Sequence, residues 1–303
     1  MTPLPELGTR VAIRSRRPVG SVPPFTDTVG ELVATGPSVQ VLHKSGAVVD
    51  ISATDIVSVR VLPPVPVLNR DIRAAQRAAA FAWPGVNHEW VDGWFVRASD
   101  GHTHRGNSAV PLEHSASPRS LGDVDAWYSK HGLPTLLCLP DRLIHPPEDL
   151  ETSDETAVMV RDLDRGEGAD TESLPSEPSA DWLVLHADSH PSTIPILTAV
   201  VNGVLGFASI VHDGSAVAIA RGAVTEDWLG ISAVRVAPAH RRLGLATQVC
   251  DVLLRWGAAQ GARRAYVQVR AENDAALALY PTLGFTEQHR YRYARIRTVG
   301  HEK

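Results

Sequence analysis

Apolar and polar residues alternate in short bursts over the first sixty positions. Runs of this period occupy residues 11–14, 29–35, 39–43, 47–51 and 56–61, with turn signals at Gly36-Pro37 and Lys44-Ser45-Gly46. Successive side chains on a strand point to opposite faces, so five such bursts predict a small all-β barrel over residues 1–62. Pro63-Pro64-Val65-Pro66 then reads as a stiff linker. An Ala-rich stretch, residues 70–81, has helical spacing and stops before Pro84. Beyond it the pattern predicts a strand pair or bulged strand over 89–97, strands at 105–110, 135–139 and 157–160, and a helix over 124–130. Residues 164–180 lose periodicity and turn rich in Gly, Ser, Pro and Glu, the composition of an acidic loop between lobes.

The second half is more regular. Apolar runs predict strands at 182–186, 195–201, 204–212 and 216–224, with Asn202-Gly203 as a hairpin turn. A strand over 231–236 ends at Pro238, and a helix starts near Ala246 with its buried face at Val249, Cys250, Leu253 and Leu254. Gly261 follows as its C-terminal stop. A strand over 265–269 leads to Asn273, placed as the N-cap of a helix that carries Ala276 and Tyr280 on one face. Alternation over 288–297, with His289, Tyr291 and Tyr293 against Arg290, Arg292 and Arg295, gives a last strand.

Chemistry concentrates where the strand over 231–236 turns into the helix, at Arg241-Arg242-Leu243-Gly244-Leu245-Ala246-Thr247. Free backbone N–H groups and the helix dipole make a helix N-terminus favourable for a phosphate. Small residues at Gly244 and Ala246 let an anion approach the amides, and Arg241 and Arg242 add full charges.

Val-x-Pro-x-x-Arg-Arg-x-Gly-x-Ala from Val236 onward, followed by Asn-x-x-Ala-x-x-x-Tyr-x-x-x-Gly-Phe from Asn273 to Phe285, resembles the two cofactor motifs of the GNAT superfamily of N-acetyltransferases. The resemblance covers residues 231–285. It implies an α+β fold, a mixed central sheet flanked by helices, in an acetyl-CoA-binding domain over 181–303. In one actinobacterial, histone-acetyltransferase-like subgroup, that domain follows an N-terminal Src-homology-3-like barrel and a degenerate GNAT-like lobe. The lobe is expected here over 70–163, without a cofactor turn of its own.

The resemblance also implies roles. Residues Arg241, Arg242, Leu243, Gly244, Leu245, Ala246 and Thr247 would hold the pyrophosphate of acetyl-CoA, a cosubstrate. Val234, Arg235 and Val236 would pair with the pantetheine arm and direct an N–H at the thioester oxygen. Asn273 and Ala276 would complete the cofactor site, and Tyr280 would protonate the departing sulfur. Many relatives carry a base on the strand before the turn, but Leu229-Gly230-Ile231-Ser232-Ala233 offers none. Glu226 and Asp227, just upstream, are the candidates, acting directly or through water held by Ser232; bulk solvent is the alternative.

A net charge of −5 over 303 residues leaves no surplus basic face, so nucleic acid is not an expected partner. Arg14, Arg16 and Arg17 read as a solvated barrel edge, with contact to an acidic partner as the alternative. Cys138 and Cys250 both lie in apolar runs and read as buried small hydrophobes. His102, His104, His114, His131 and His145 match no zinc spacing, so no metal is expected. No signal peptide opens the chain and no apolar run approaches spanning length, which gives a cytoplasmic, membrane-free expectation. Trp90 and Trp94 read as core, with the acceptor groove as the alternative, and Arg105, Asn107 and Ser108 are candidates for contacting substrate. The carboxylates between 148 and 177 read as a solvated loop, with attraction of a cationic amine as the alternative.

Three functions remain open on these residues. One is acetyl transfer to a primary amine on a small molecule or amino acid, another is transfer to a protein lysine side chain, and the third is non-catalytic acyl-CoA-binding regulation. A homo-oligomer is compatible with each.

Overall fold

A computed structural model describes residues 4–43, 47–62, 66–144, 150–153, 155–163 and 173–296. The turn at 44–46, Pro63 to Val65, His145, Glu148, Asp149, Asp154, residues 164–172 of the acidic loop and Arg297 lie outside them. The chain divides into two compact units, Met1–Pro66 and Val67–Lys303.

The first unit holds strands β1 (Arg10–Arg16), β2 (Phe25–Ala34), β3 (Ser38–His43), β4 (Val48–Ser52) and β5 (Ile56–Val61), all antiparallel in the order β4-β3-β2-β1-β5. Its alternation resolves as read: Val11, Ile13, Leu32, Val39, Val41 and Ile51 face one core, and their sequence neighbours face out. Arg14 is already partnered on its own unit, 3.4 Å from Asp27 and over the Phe25 ring.

The second unit begins with α1 (Asn69–Ala82), β6 (Asn87–Val91), β7 (Trp94–Ala98), β8 (Val110–Pro111), α2 (Leu121–Lys130) and β9 (Leu136–Pro140). It continues with β10 (Glu151–Thr152), β11 (Thr156–Asp162), α3 (Ala180–His186), α4 (Thr193–Thr198), β12 (Gly203–His212), β13 (Ser215–Thr225) and β14 (Trp228–Val236). Last come α5 (Leu245–Ala259), β15 (Arg264–Arg270), α6 (Asp274–Thr282) and β16 (Thr286–Arg295). The main sheet runs β10-β16-β11-β15-β14-β13-β12, with β9 added on β16. Every ladder is antiparallel except β14–β15. A smaller sheet, β6-β7-β8, packs through Trp94, Val96 and Ala98 on Val124, Trp127 and Tyr128 of α2.

Helix α5 lies on the main sheet through the four residues its spacing selects, Val249, Cys250, Leu253 and Leu254, all buried. Trp256 completes this face, and two glycines opposite it leave room for the indole. A Cβ on Gly206 would stand 2.8 Å from Trp256, and one on Gly222 2.8 Å from Leu253. Gly261, with φ +91°, closes the helix: Ala262 N–H reaches the Gly257 carbonyl at 2.9 Å.

Several expectations are corrected. Residues 182–186 and 195–201 are not strands. Ser179 caps α3 by accepting from the Trp182 N–H at 3.2 Å, and Trp182 is buried among Ile196, Leu197 and Phe207. Pro195 sits in the first turn of α4, where its missing N–H leaves no helical bond unmade. Apolar runs this short carry no usable period, and tertiary packing decides them. Asn202-Gly203 consequently joins a helix to β12 and is no hairpin turn. Residues 105–110 form a 3-10 turn, Arg105–Asn107, before the short β8. Asn107 explains the turn, because its amide accepts from the N–H groups of Ser99 and Gly101 and donates to the Thr103 carbonyl.

Candidate functional site

Strands β14 and β15 run parallel and pair only from Trp228 to Ile231 on β14. Past Ile231 they part, and the N–H and C=O groups on that side of residues 232–236 lose their ladder. The separation has a local cause on the other edge of β14. There Ile219 faces Arg235 and Arg221 faces Ser232, so β14 carries an extra residue, and Ala233 takes a left-handed φ of 53°. The wedge between the strands is a groove of about 670 Å³. One wall is Gly230 to Val236, the other Gln268, Val269 and Arg270 with the inner face of α6.

The turn into α5 opens on this groove. Arg242 (φ 66°) and Gly244 (φ 76°) are both left-handed, which curls the backbone so that successive amides share a concave side. Gly244 is the N-cap and supplies no side-chain acceptor. Among the described residues, the N–H groups of residues 242–247 meet no protein acceptor; the first donor to find one is Gln248, to the Gly244 carbonyl at 3.1 Å. A Cβ placed on Gly244 would meet nothing within 4 Å, so the space beside it is open. Unsatisfied donors, a helix dipole and the guanidinium groups of Arg241 and Arg242 together fit a diphosphate.

Asn273 accepts from the Ala276 N–H at 3.2 Å and so fixes the start of α6, as its position suggested. Tyr280, one turn further on, is buried and packs edge-on against Phe285 at 5.6 Å. Burial pushes its phenol well above the ordinary value, so it stays protonated at neutral pH. Its hydroxyl makes no hydrogen bond among the described residues and is free to donate.

The structure brings together most of the residues singled out above. Val234, Arg235, Val236, Arg241, Arg242, Gly244, Leu245, Ala246, Thr247, Asn273, Ala276 and Tyr280 all line the groove. Leu243 does not; its side chain is exposed. Glu226 does not either. It occupies the β13–β14 turn at φ 54° and faces a separate depression with Arg73, Arg77 and His114. Six residues of strand, about 20 Å, separate it from Ser232. Asp227 is held by Arg264 at 2.9 and 3.1 Å. No carboxylate lines the groove among the described residues.

Trp94 is core, Trp90 meets Phe95 edge-on and lies under Arg77, and neither lines the groove. Ser108 is committed to Arg97, its carbonyl accepting from Nε and its hydroxyl from Nη2. Arg105 does line the groove. The polar and aromatic residues missed are Trp83, Arg221, His240, Tyr266, Gln268 and Arg270. Arg221 left a signal: it is the lone charge in the otherwise apolar run of β13, where a charge needs a reason. Among the described residues no cluster of three or more His, Cys, Asp or Glu side chains could hold a metal, and no helix is long and apolar enough to cross a membrane.

Comparison with known proteins adds a second line of observation. Residues 69–294 match a family model described as "Probable histone acetyltransferase Rv0428c C-terminal". Residues 5–60 match one described as "Rv0428c N-terminal Sm-like domain", a small all-β domain similar to the Src-homology-3-like barrel expected. The chain is 42% identical over 306 residues to a Mycobacterium tuberculosis protein called probable histone acetyltransferase Rv0428c, covering 99% of each. It is 27% identical over 248 residues to the uncharacterized N-acetyltransferase YobR of Bacillus subtilis, covering 74% of this chain and 99% of that one. Among solved structures, a GCN5-related N-acetyltransferase from Kribbella flavida aligns with a TM-score of 0.52 at 16% identity, over 78% of this chain and 97% of that one. A tandem GNAT protein from the clavulanic acid biosynthesis pathway aligns at 0.50 and 14%, over 68% and 78%. Likeness at these identities speaks to the fold.

Proposed function

The chain belongs to the family of these matches, the GNAT-type N-acetyltransferases, and from that premise we propose that it moves the acetyl group of acetyl-CoA to a primary amine by direct attack. The observation that carries the proposal is the run of unpartnered amides at 242–247, on the same groove as the unpaired edge of β14. Acetyl-CoA, as cosubstrate, supplies an activated thioester carbonyl. The amides of 242–247, with Arg241 and Arg242, hold the diphosphate. The edge at Val234 to Val236 pairs with the pantetheine amides as a further strand would, and an N–H there faces the thioester oxygen. Tyr280, kept protonated by burial, donates to the sulfur as it leaves.

Glu226 is not retained as the base, since it faces another depression. With no carboxylate on the groove and Asp227 tied to Arg264, the amine loses its proton to solvent or to His240, the imidazole that lines the groove. Residues 70–163 are read as the degenerate lobe and 181–303 as the cofactor domain; neither helix start in the lobe, at Asn69 or Leu121, has the left-handed glycine cap that Gly244 gives α5. The N-terminal unit is read as a docking or oligomerisation module of the Src-homology-3-like kind, and the protein as cytoplasmic.

Calorimetric titration with acetyl-CoA, followed by thiol release across amines, amino acids and a basic peptide, tests the proposal. Tyr280→Phe that binds acetyl-CoA but turns over normally would remove the acid role. Binding with no turnover on any amine would favour a regulator. The name of the 42%-identical relative favours a second reading, transfer to a protein lysine; the arginines on the groove weigh against a basic tail there.

A further inference from the structure

Besides Arg241 and Arg242, the groove exposes a second cationic group of a different kind. Arg221 is 1% exposed. It lies across the ladder from Ser232, at the opposite end of the open β14 edge from the α5 turn. Its Nε donates to the Leu197 carbonyl at 2.7 Å, and Nη2 to those of Ala82 and Ala199 at 2.9 and 3.0 Å. These bonds fix the guanidinium plane and leave Nη1 without a partner among the described residues. Trp83 lies under it at 4.5 Å, and Arg105 approaches the same indole at 5.5 Å. Arg105 has Tyr291 as its hydrogen-bonding neighbour, and its Nε is buried with no acceptor. The Trp83 indole N–H is buried and unmatched as well.

Two guanidinium groups beside one indole need a compensating charge, and no carboxylate on the groove supplies one. Against burial, Tyr291, Tyr293 and Tyr266 surround Arg105 and hold its guanidinium charged, Tyr291 through a hydrogen bond. Burial raises the phenols of Tyr266 and Tyr293 well above the ordinary value, however, so those two are neutral. Burial pulls Arg221 down to about 9, with Tyr266 acting against it and the charge of Arg105 with it. Nearby Arg97 shows what a purely structural arginine looks like in this fold. It is equally buried, but Ser108 and the Trp83 carbonyl take up Nε, Nη1 and Nη2, and it does not face the groove.

We propose that Arg105 and Arg221 bind a carboxylate on the acceptor, which makes the substrate a small carboxylate-bearing amine of the amino-acid class. The inference rests on the N-acetyltransferase reading above and deepens it. A planar carboxylate meets paired guanidinium forks through parallel N–H···O bonds, and Trp83 offers both an apolar face and a further donor. The reaction is otherwise the proposed one. The free amine forms the N–C bond, the C–S bond breaks, and the thiolate takes a proton from Tyr280, which recovers it from the amide nitrogen through solvent.

The test uses the full-length protein with acetyl-CoA, monitoring thiol release with the twenty L-amino acids, their carboxamides, phosphoethanolamine and a lysine-rich peptide. At least one amino acid should be turned over with kcat/KM ten or more times that of its carboxamide, and above the phosphate and peptide probes. Arg105→Gln should erase that preference through KM, by tenfold or more, with acetyl-CoA affinity within twofold of wild type; Arg105→Lys should restore part of it. Equal turnover of acid and carboxamide, preference for phosphoethanolamine or the peptide, or no amino-acid turnover would overturn the inference. So would an Arg105→Gln defect shared by acid and carboxamide alike. Failure of acetyl-CoA to bind would instead sink the parent reading.

Discussion

Gly244→Glu tests the diphosphate cradle most directly. Gly244 sits at φ 76°, and a Cβ there would touch no protein atom within 4 Å. The substitution therefore has two separable effects. Left-handed backbone strain costs about 1–2 kcal/mol of stability for any L residue, and Gly244→Ala isolates that term. The carboxylate adds a charge facing the diphosphate. At about 5 Å and an effective dielectric of roughly 40, each phosphate charge is disfavoured by about 1.7 kcal/mol. Two such charges give about 3 kcal/mol, or roughly two decades in affinity. The expected result is a Kd for acetyl-CoA raised about 100-fold in Gly244→Glu and only a few-fold in Gly244→Ala, with similar losses of Tm in both. Calorimetry at low and high salt measures it, and the gap between variants should shrink as salt screens the repulsion. If Gly244→Glu binds within threefold of wild type, the amides of 242–247 do not hold the diphosphate and the account of the site fails.

Other perturbations have equally definite outcomes. Tyr280→Phe should lower kcat by about 100-fold or more while leaving acetyl-CoA affinity intact, which single-turnover kinetics and calorimetry separate. Burial pulls His289 down to about 4; it also bonds Gln76 at 2.8 Å and Gln288 at 3.0 Å. Below the unfolded value near 6.5 the unfolded chain takes a proton that the folded chain refuses. Stability should therefore fall as pH drops from about 6.5 to 4, by up to about 3 kcal/mol, and His289→Gln should flatten that limb in Tm measured against pH. Gly222→Ala should lower Tm by several degrees, since its Cβ would stand 2.8 Å from Leu253 and 3.0 Å from Trp256, an overpacking cost of about 1–3 kcal/mol. An unchanged Tm would mean that α5 shifts freely on the sheet.

The turn proposed to hold the cofactor is legible because everything it needs is contiguous. Strand 228–236, the turn at 241–244 and helix 245–259 follow one another, and the need for small residues and a free helix start shows in the order of residue types. Asn273 was legible for the same reason, a cap being a local bond. The end of the groove at Trp83 was not. Trp83, Arg105 and Arg221 come from three segments, and residue types that distant cannot be paired without the fold. Glu226, in the turn before β14, is near Ser232 in sequence but faces a separate depression. A strand is extended, so a few residues carry a side chain to the far end of the sheet.

By itself, the order of residues determined the five-stranded N-terminal sheet, nearly every strand and long helix, and the glycine-led start of α5, because periodicity, capping and turn chemistry act over a few residues. Only the tertiary structure decided that 180–186 and 193–198 are helical, that Arg105 and Arg221 meet on Trp83, and that no described carboxylate reaches the groove. Short apolar runs, buried charge and cavity lining are set by neighbours distant in the chain, and their energies exist only once the chain has closed around them.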